Sequence, residues 1–189
     1  MSRLKFIGID PSLSNLGLCR GWVDLNTLEW QVEELLLCET KPVTSKTVRK
    51  SSLDYDRCRE LFEAQDEFVK GADFAFVEMP IGSQSANAMK SYGACIMLIA
   101  TLDIPVIQVS PSEVKLKATG DKNATKEEMI AWASRKFSDI NWLRQGQKIL
   151  KKNEHLADAI GAVNAGLQTD DFKSLQVMMK RMTASINSK

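Results

Sequence analysis

The stretch FIGIDPSLSN, Phe6 to Asn15, carries an unbroken apolar run up to one carboxylate, Asp10, and then breaks at Pro11. A run without polar alternation reads as a strand buried on both faces. Such a strand has no reason of its own to end on a charge. Asp-Pro-Ser is a good turn opener, because a short acid side chain can bond the backbone that follows it. The same carboxylate could instead hold a metal ion, and Asp10 alone leaves both readings open. A second apolar run, Phe74 to Val77, also ends on an acid, Glu78. Taken alone, Glu78 reads as a solvated strand end. In an open α/β sheet, however, ligands bind beyond the carboxyl ends of the strands. If the two runs are parallel neighbours, Asp10 and Glu78 converge.

The rest of the chain supplies the sheet and its covering helices. Lys5–Asp10, Leu16–Val23 and Trp30–Cys38 read as three strands of a meander, with a turn over Asp24–Thr27. Pro42–Ser52 is polar and basic, so it reads as a loop. Leu53–Lys70 has helical spacing at Cys58, Leu61, Phe62, Phe68 and Val69, and Gly71 ends it. Ser85–Leu102 is a helix rich in small residues (Ala86, Ala88, Gly93, Ala94, Ala100), which predicts burial on more than one side. Pro105–Val109 is a further strand. Thr125–Phe137 opens with a capping box, Thr125 to Glu128. Asn153 is placed to cap a core helix that runs to Leu167. Beyond Gln168 lies a polar, Met-bearing tail or extra helix. The order is βββ-α-β-α-β-α-α, a mixed sheet with helices on its faces, with a main domain over 1–168 and the tail over 169–189.

Bulk properties remove several classes. The chain has 189 residues, 44% apolar and 26% charged, which suits one soluble globular domain and excludes disordered and fibrous classes. No apolar stretch is long enough to span a bilayer, and the N-terminus shows no signal-peptide pattern. The four cysteines are scattered without a C-x-x-C pair, which suits reduced thiols in the cytoplasm. The net charge is +1, so nothing global announces nucleic acid. Two acid-free basic segments do stand out: Lys41, Lys46, Arg49 and Lys50, and then Arg144, Lys148, Lys151 and Lys152. Each reads either as solvated surface or as a phosphate-binding face, since affinity follows local charge.

A third element completes the acid set. In NEHLADAIGAV, Asn153 to Val163, His155 and Asp158 stand three apart on one helical face. Glu154 reads as an acid complementing the helix dipole. His155 is the only histidine, which excludes any multi-histidine zinc site; a lone histidine can equally be a plain surface residue. Three carboxylates and one imidazole without a thiolate cluster favour a hard, oxygen-seeking cation such as Mg²⁺ or Mn²⁺.

These motifs, in this order, resemble the RuvC Holliday-junction resolvases, particularly the diverged phage and prophage versions, within the ribonuclease H-like fold. The resemblance rests on IGIDPSLSNLG (Ile7–Gly17), FVEMP (Phe76–Pro80), SANAMKSYGAC (Ser85–Cys95), VSPSEVKLKATGDKNATKEEM (Val109–Met129) and HLADAIG (His155–Gly161). It covers the chain to about Leu167. It implies a five-stranded mixed sheet flanked by helices, with Asp10, Glu78 and Asp158 as catalytic metal ligands. His155 takes a position where many members have Asp and some have His. The resemblance further implies two Mg²⁺ per site, replaceable by Mn²⁺, a homodimer, and cleavage of branched DNA to leave a 5′ phosphate. Lys115 and Lys126 match lysines that contact DNA in the family, and the basic Lys151 and Lys152 are expected to join them. There are departures. Met79, Pro80 and Ile81 stand where cellular members place an aromatic that helps open the junction, so Ile81 is the expected wedge here. Residues 24–54 do not align, and the tail has no counterpart. Two other readings of the sequence remain: an ATPase of the actin/Hsp70 fold, which also opens with strand-Asp-turn-Gly, and a DNA-binding protein without catalysis on the same fold.

Overall fold

The middle strand of the sheet is the one that carries Asp10. In a computed structural model, which describes residues 3–42, 45–82 and 85–187, β1 (Arg3–Asp10) pairs antiparallel with β2 (Asn15–Asp24) and parallel with β4 (Phe74–Glu78). β3 (Trp30–Glu39) adds antiparallel to β2, and β5 (Val106–Val109) adds parallel to β4. The sheet order is β3-β2-β1-β4-β5. Helices are α1 (Lys50–Val69), α2 (Ala86–Ala100), α3 (Pro111–Thr119), α4 (Lys126–Lys136), α5 (Glu154–Gly166) and α6 (Asp170–Asn187). A hairpin, β6 (Arg144–Gln145) and β7 (Lys148–Ile149), and a 3₁₀ turn at Lys151–Asn153 lie between α4 and α5. Val43 and Thr44 of the expected 42–52 loop lie outside the described residues. Among those described, no helix is long and apolar enough to cross a membrane.

Both faces of β1 are covered, which is why its sequence shows no polar alternation. Phe6, with Phe74 and Phe76 of β4, points to the layer of α3, α4, α5 and α6. Ile7 and Ile9, with Ala75 and Val77, point to α1 and α2 through Leu61, Phe68, Leu98 and Ile99. The tail is indeed a helix, and it is tied to the first layer: Phe172 of α6 is buried against Phe74 and Phe76.

The small-residue helices behave differently from the sequence reading. α2, expected to be buried on several sides, is buried on one face only, at Cys95, Leu98 and Ile99; on the other side Met97 is 66% exposed and Gly93 has open space beside it. The deeply buried helix is α5, where every residue from Leu156 to Gly166 is buried except Asp158 and Asn164. Small residues permit close approach but need a partner that accepts it, and here the partner is glycine in the sheet. A Cβ at Gly8 would strike the carbonyl of Ala159, and one at Gly17 would strike that of His155. α3 was not anticipated. Its start is nonetheless well signed, with Pro111 in the first turn and a reciprocal Ser110–Glu113 capping box. Gly120 closes it at φ 84°, a left-handed C-cap.

Candidate active site

The parallel register sets Ile9 beside Val77, so Asp10 and Glu78 leave the sheet as neighbours at its carboxyl end. The chain after Asp10 is held firmly. Ser12 Oγ accepts from the N–H groups of Ser14 and Asn15. Thr40 Oγ1 donates to the Leu13 carbonyl. Arg57, only 8% exposed, donates to the same carbonyl and to Ser14 Oγ, both at 3.1 Å, and from Nε to Thr40 Oγ1. Arg57 was missed by sequence reasoning, which took Cys58, Phe62 and Val69 as part of the buried stripe of α1. The stripe is Arg57, Leu61, Gln65 and Phe68. The i, i+4, i+8, i+11 spacing was the available signal, but two of its members are polar.

The close approach of α5 to Gly8 and Gly17 brings its first turns onto Asp10. His155 Nδ1 lies 2.7 Å from Asp10 Oδ2, and its Nε2 lies 3.4 Å from Glu154 Oε1. Glu154 is bound in turn by Lys126 Nζ at 2.7 Å. Asn153 does not cap α5 as expected. It is fully buried and its side chain bonds Leu143 N–H, Leu143 C=O and Leu150 C=O, so it secures the preceding loop.

The electrostatics show that the four groups share one environment. Burial, then the charges of Asp10 and Asp158, push Glu78 up from 4.5 to about 9, with Lys115 of α3 opposing. Burial and Asp10 push Asp158 up from 3.8 to about 7, against His155 and Lys115. Burial pulls the His155 pKa down, but the hydrogen bond to Asp10 and the charges of Asp10, Glu154 and Asp158 outweigh it, and the net shift is upward. Three acids crowded into a low-dielectric site repel one another, and the repulsion is relieved by protons or by a cation. The donor set, carboxylate oxygens with one imidazole, fits a hard divalent ion. Among the described residues, no three such side chains stand close enough together to form a ready coordination shell, though His155 and Asp10 are already in contact.

The structure thus gathers Asp10, Glu78, His155, Asp158 and Lys115. Lys126 joins through Glu154. Lys151 and Lys152 stand on the rim, paired with Glu127 and Glu39. Ile81 is 74% exposed, three residues beyond Glu78.

Because Glu78 and Asp158 keep protons in the folded state that they would lose when unfolded, stability falls as pH rises from about 5 to about 9. His155, raised as well, adds stability below its ordinary value that is lost as pH rises through its folded value, so it acts in the same direction. In EDTA, the melting temperature should drop by at least ~4 °C across that range, the effect of roughly 1–2 kcal/mol in a chain of this size. Added Mg²⁺ should restore more at pH 9 than at pH 6, since it competes with those protons. A flat thermal profile would mean that the acids are not crowded.

A mixed sheet in 3-2-1-4-5 order, with acids at the ends of two central parallel strands and on the helix across them, is the ribonuclease H-like arrangement. Comparison with known proteins narrows this. The chain is 23% identical over 127 residues to the crossover junction endodeoxyribonuclease RuvC of Prochlorococcus marinus (strain MIT 9303), covering 67% of this chain and 79% of the relative. It is 32% identical over 95 residues to RuvC of Salinibacter ruber, covering 46% of this chain and 53% of that one. No protein-family model matches. Among solved structures, Thermus thermophilus RuvC in complex with Holliday junction substrate superposes with a TM-score of 0.58 at 19% identity, over 86% of this chain and 92% of that one. Fowlpox virus resolvase with Holliday junction DNA gives 0.51 at 18% identity, over 91% and 99%. The proteins it is similar to in sequence carry the name RuvC, as its motifs indicated, and its fold matches that of the Thermus thermophilus structure.

Proposed function

We propose that the protein is a Mg²⁺-dependent endonuclease that cuts four-way DNA junctions and acts as a homodimer. The observation that carries this reading is the convergence of Asp10, Glu78, Asp158 and His155 at one sheet end, in a chain whose relatives are named for junction cleavage. Asp10, Glu78, Asp158 and His155 would hold the divalent ions. Bound there, the ions supply Lewis-acid stabilisation of the charge on phosphorus and lower the pKa of the attacking water. The chain's own groups do the rest. Lys115, beside Glu78 and Asp158, offers a fixed positive charge to the scissile phosphate. Arg57 and Thr40 hold the turn behind Asp10, so the carboxylate does not swing when DNA arrives. The His155–Asp10 pair keeps Asp10 oriented, and His155 must yield its proton before it can ligate an ion. Mg²⁺-dependent nicking of a labelled synthetic junction, leaving a 5′ phosphate and a 3′ hydroxyl, is the direct test. Tight binding without any cut would favour the non-catalytic reading. The ATPase reading is disfavoured by Gly120, whose N–H is spent on Leu116 as a helix cap rather than offered to a phosphate.

A junction has near two-fold symmetry, and two copies would present two sites to it. An open groove of about 690 Å³ between α1 and α2 is lined by Tyr55, Phe62, Met97 and Leu98, and its apolar rim suits a second copy of the chain. Met97→Glu should convert dimer to monomer in analytical ultracentrifugation. A variant that remains dimeric would place the interface elsewhere.

Ile81 bears on selectivity. An aromatic at that position could stack on an unpaired base, worth about 1–3 kcal/mol. Ile81 is exposed and able to wedge but not to stack, and Pro80 limits how the loop adapts. The enzyme should therefore cut three-way junctions and flaps at rates closer to its four-way rate, and Ile81→Phe should sharpen the preference. Initial rates on four-way, three-way, flap and linear DNA at one salt concentration decide this. A strong four-way preference unchanged in Ile81→Phe would refute the role given to Ile81.

A further inference from the structure

We infer that the β6–β7 hairpin is a rigid arm that grips the phosphate backbone of the duplex flanking the cut. The identity of the partner rests on the nuclease reading above; the arm itself is argued from its own residues. From Ile140 to Asn153 the chain has Arg144, Lys148, Lys151 and Lys152 and no acid. Arg144–Lys148 is exposed throughout, and the turn is made at Gly146 with φ 59°. A ribbon with two residues per strand cannot hold itself together in water. It is held at its base. Trp142 is buried and its Nε1 donates to the Phe137 carbonyl. Asn153, fully buried, clasps Leu143 and Leu150 from both sides, and Leu150 N–H bonds the Leu143 carbonyl. A buried amide that makes three bonds is a costly way to connect two helices, and it gives a loop with a fixed direction.

The tip carries two cationic side chains, Arg144 and Lys148, and no acid. The Arg144 guanidinium donates to the Gln147 carbonyl at 3.3 Å, within the hairpin itself, and has no ion pair among the described residues. Lys148 is exposed and has no ion pair among the described residues. Lys151 and Lys152 at the base are by contrast neutralised by Glu127 and Glu39. The unneutralised charge therefore sits at the end of the arm. The arm also stands at the site: its base runs directly into His155. Lys152 reaches Glu39, whose strand partner Asn15 lies on the same sheet end as Asp10. A two-stranded ribbon is narrow enough for the major groove, and Lys or Arg on phosphate gives register without sequence preference.

The experiment uses the full chain and the double variant Arg144→Gln/Lys148→Gln. Binding to four-way junctions is measured over a salt series in Ca²⁺, with long arms and with arms shortened stepwise. The expected result is a weaker complex, by roughly tenfold or more near physiological salt. The slope of log affinity against log salt should fall by about 1.8, for two contacts at roughly 0.9 each. The loss should be the same for junctions of different base sequence, should vanish as the arms become too short to reach, and should be reversed in part by Lys148→Arg. Thermal melting controls for folding. Should the double variant melt early, Gln145→Glu with Gln147→Glu adds repulsion at the tip and must weaken binding likewise. An undiminished salt slope on long arms, or a loss that persists on the shortest ones, overturns the inference. Wild type that binds but never cuts would sink the nuclease reading and leave the arm standing. Wild type that cuts, beside a variant of unchanged slope, would sink the arm alone.

Discussion

Asp10→Asn and Glu78→Gln are each expected to lower the rate of junction cutting by at least ~10³-fold, about 4 kcal/mol of barrier, without weakening binding. Both changes keep shape and remove charge. The acids lie together at the ends of β1 and β4, where burial, and after it the charges of Asp10 and Asp158, push Glu78 to about 9. Each is thus in position to hold a cation, and neither is positioned to attract DNA. Removing a negative charge near the scissile phosphate should leave affinity equal or raise it. The two variants should differ in stability. Glu78→Gln mimics the protonated acid, so the metal-free protein should melt higher than wild type at alkaline pH and lose its response to Mg²⁺. Asp10→Asn relieves the same repulsion but also gives up the ion pair with His155, so its gain should be smaller. Cutting rates, anisotropy titrations and melting curves on the same preparations check all three expectations. Wild-type cutting by either variant would refute the metal-site assignment.

The sequence made the site legible where the signal was local. Two apolar runs ending on Asp10 and Glu78 needed only the rule that ligands gather at strand carboxyl ends. The Thr125–Glu128 capping box marked α4 within its own four residues, and the structure has it. What depended on partners far along the chain was harder to read. α2 and α5 are both rich in small residues, and only Gly8 and Gly17 in the facing strands make α5 the buried one. Arg57 looks like one more surface charge in DYDRCRE until Leu13 and Thr40 come to meet it. Asn153 has the composition of a cap and serves as a loop clasp, because its side chain is drawn back toward Leu143. The β6–β7 strands, two residues each, fall below any window in which periodicity could appear.

His155 carries the other large effect. Its ring is bonded to Asp10, stands beside Glu154, and shares the field of Asp158, so it belongs to the acid cluster rather than to the surface. Replacing it with alanine removes the group that orients Asp10 and one donor to the cation. Loss of such a partner typically costs about 10–100-fold in activity or metal affinity, so His155→Ala should lose at least that order of activity. His155→Asp replaces the imidazole with an oxygen donor, which a hard cation accepts readily, and should keep substantial activity. The pH profiles should separate the two donors. Asp10 holds the imidazole proton, so wild type should gain activity as pH rises past the ordinary histidine range and that proton becomes easier to displace. His155→Asp has no such proton to surrender and should lose that limb while gaining dependence on Mg²⁺ concentration, since a fourth acid deepens the repulsion among Asp10, Glu78 and Asp158. Rates for the three proteins over a pH series at two Mg²⁺ concentrations are the measurement. His155→Ala cutting as fast as wild type at every pH would return His155 to the status of an ordinary surface residue.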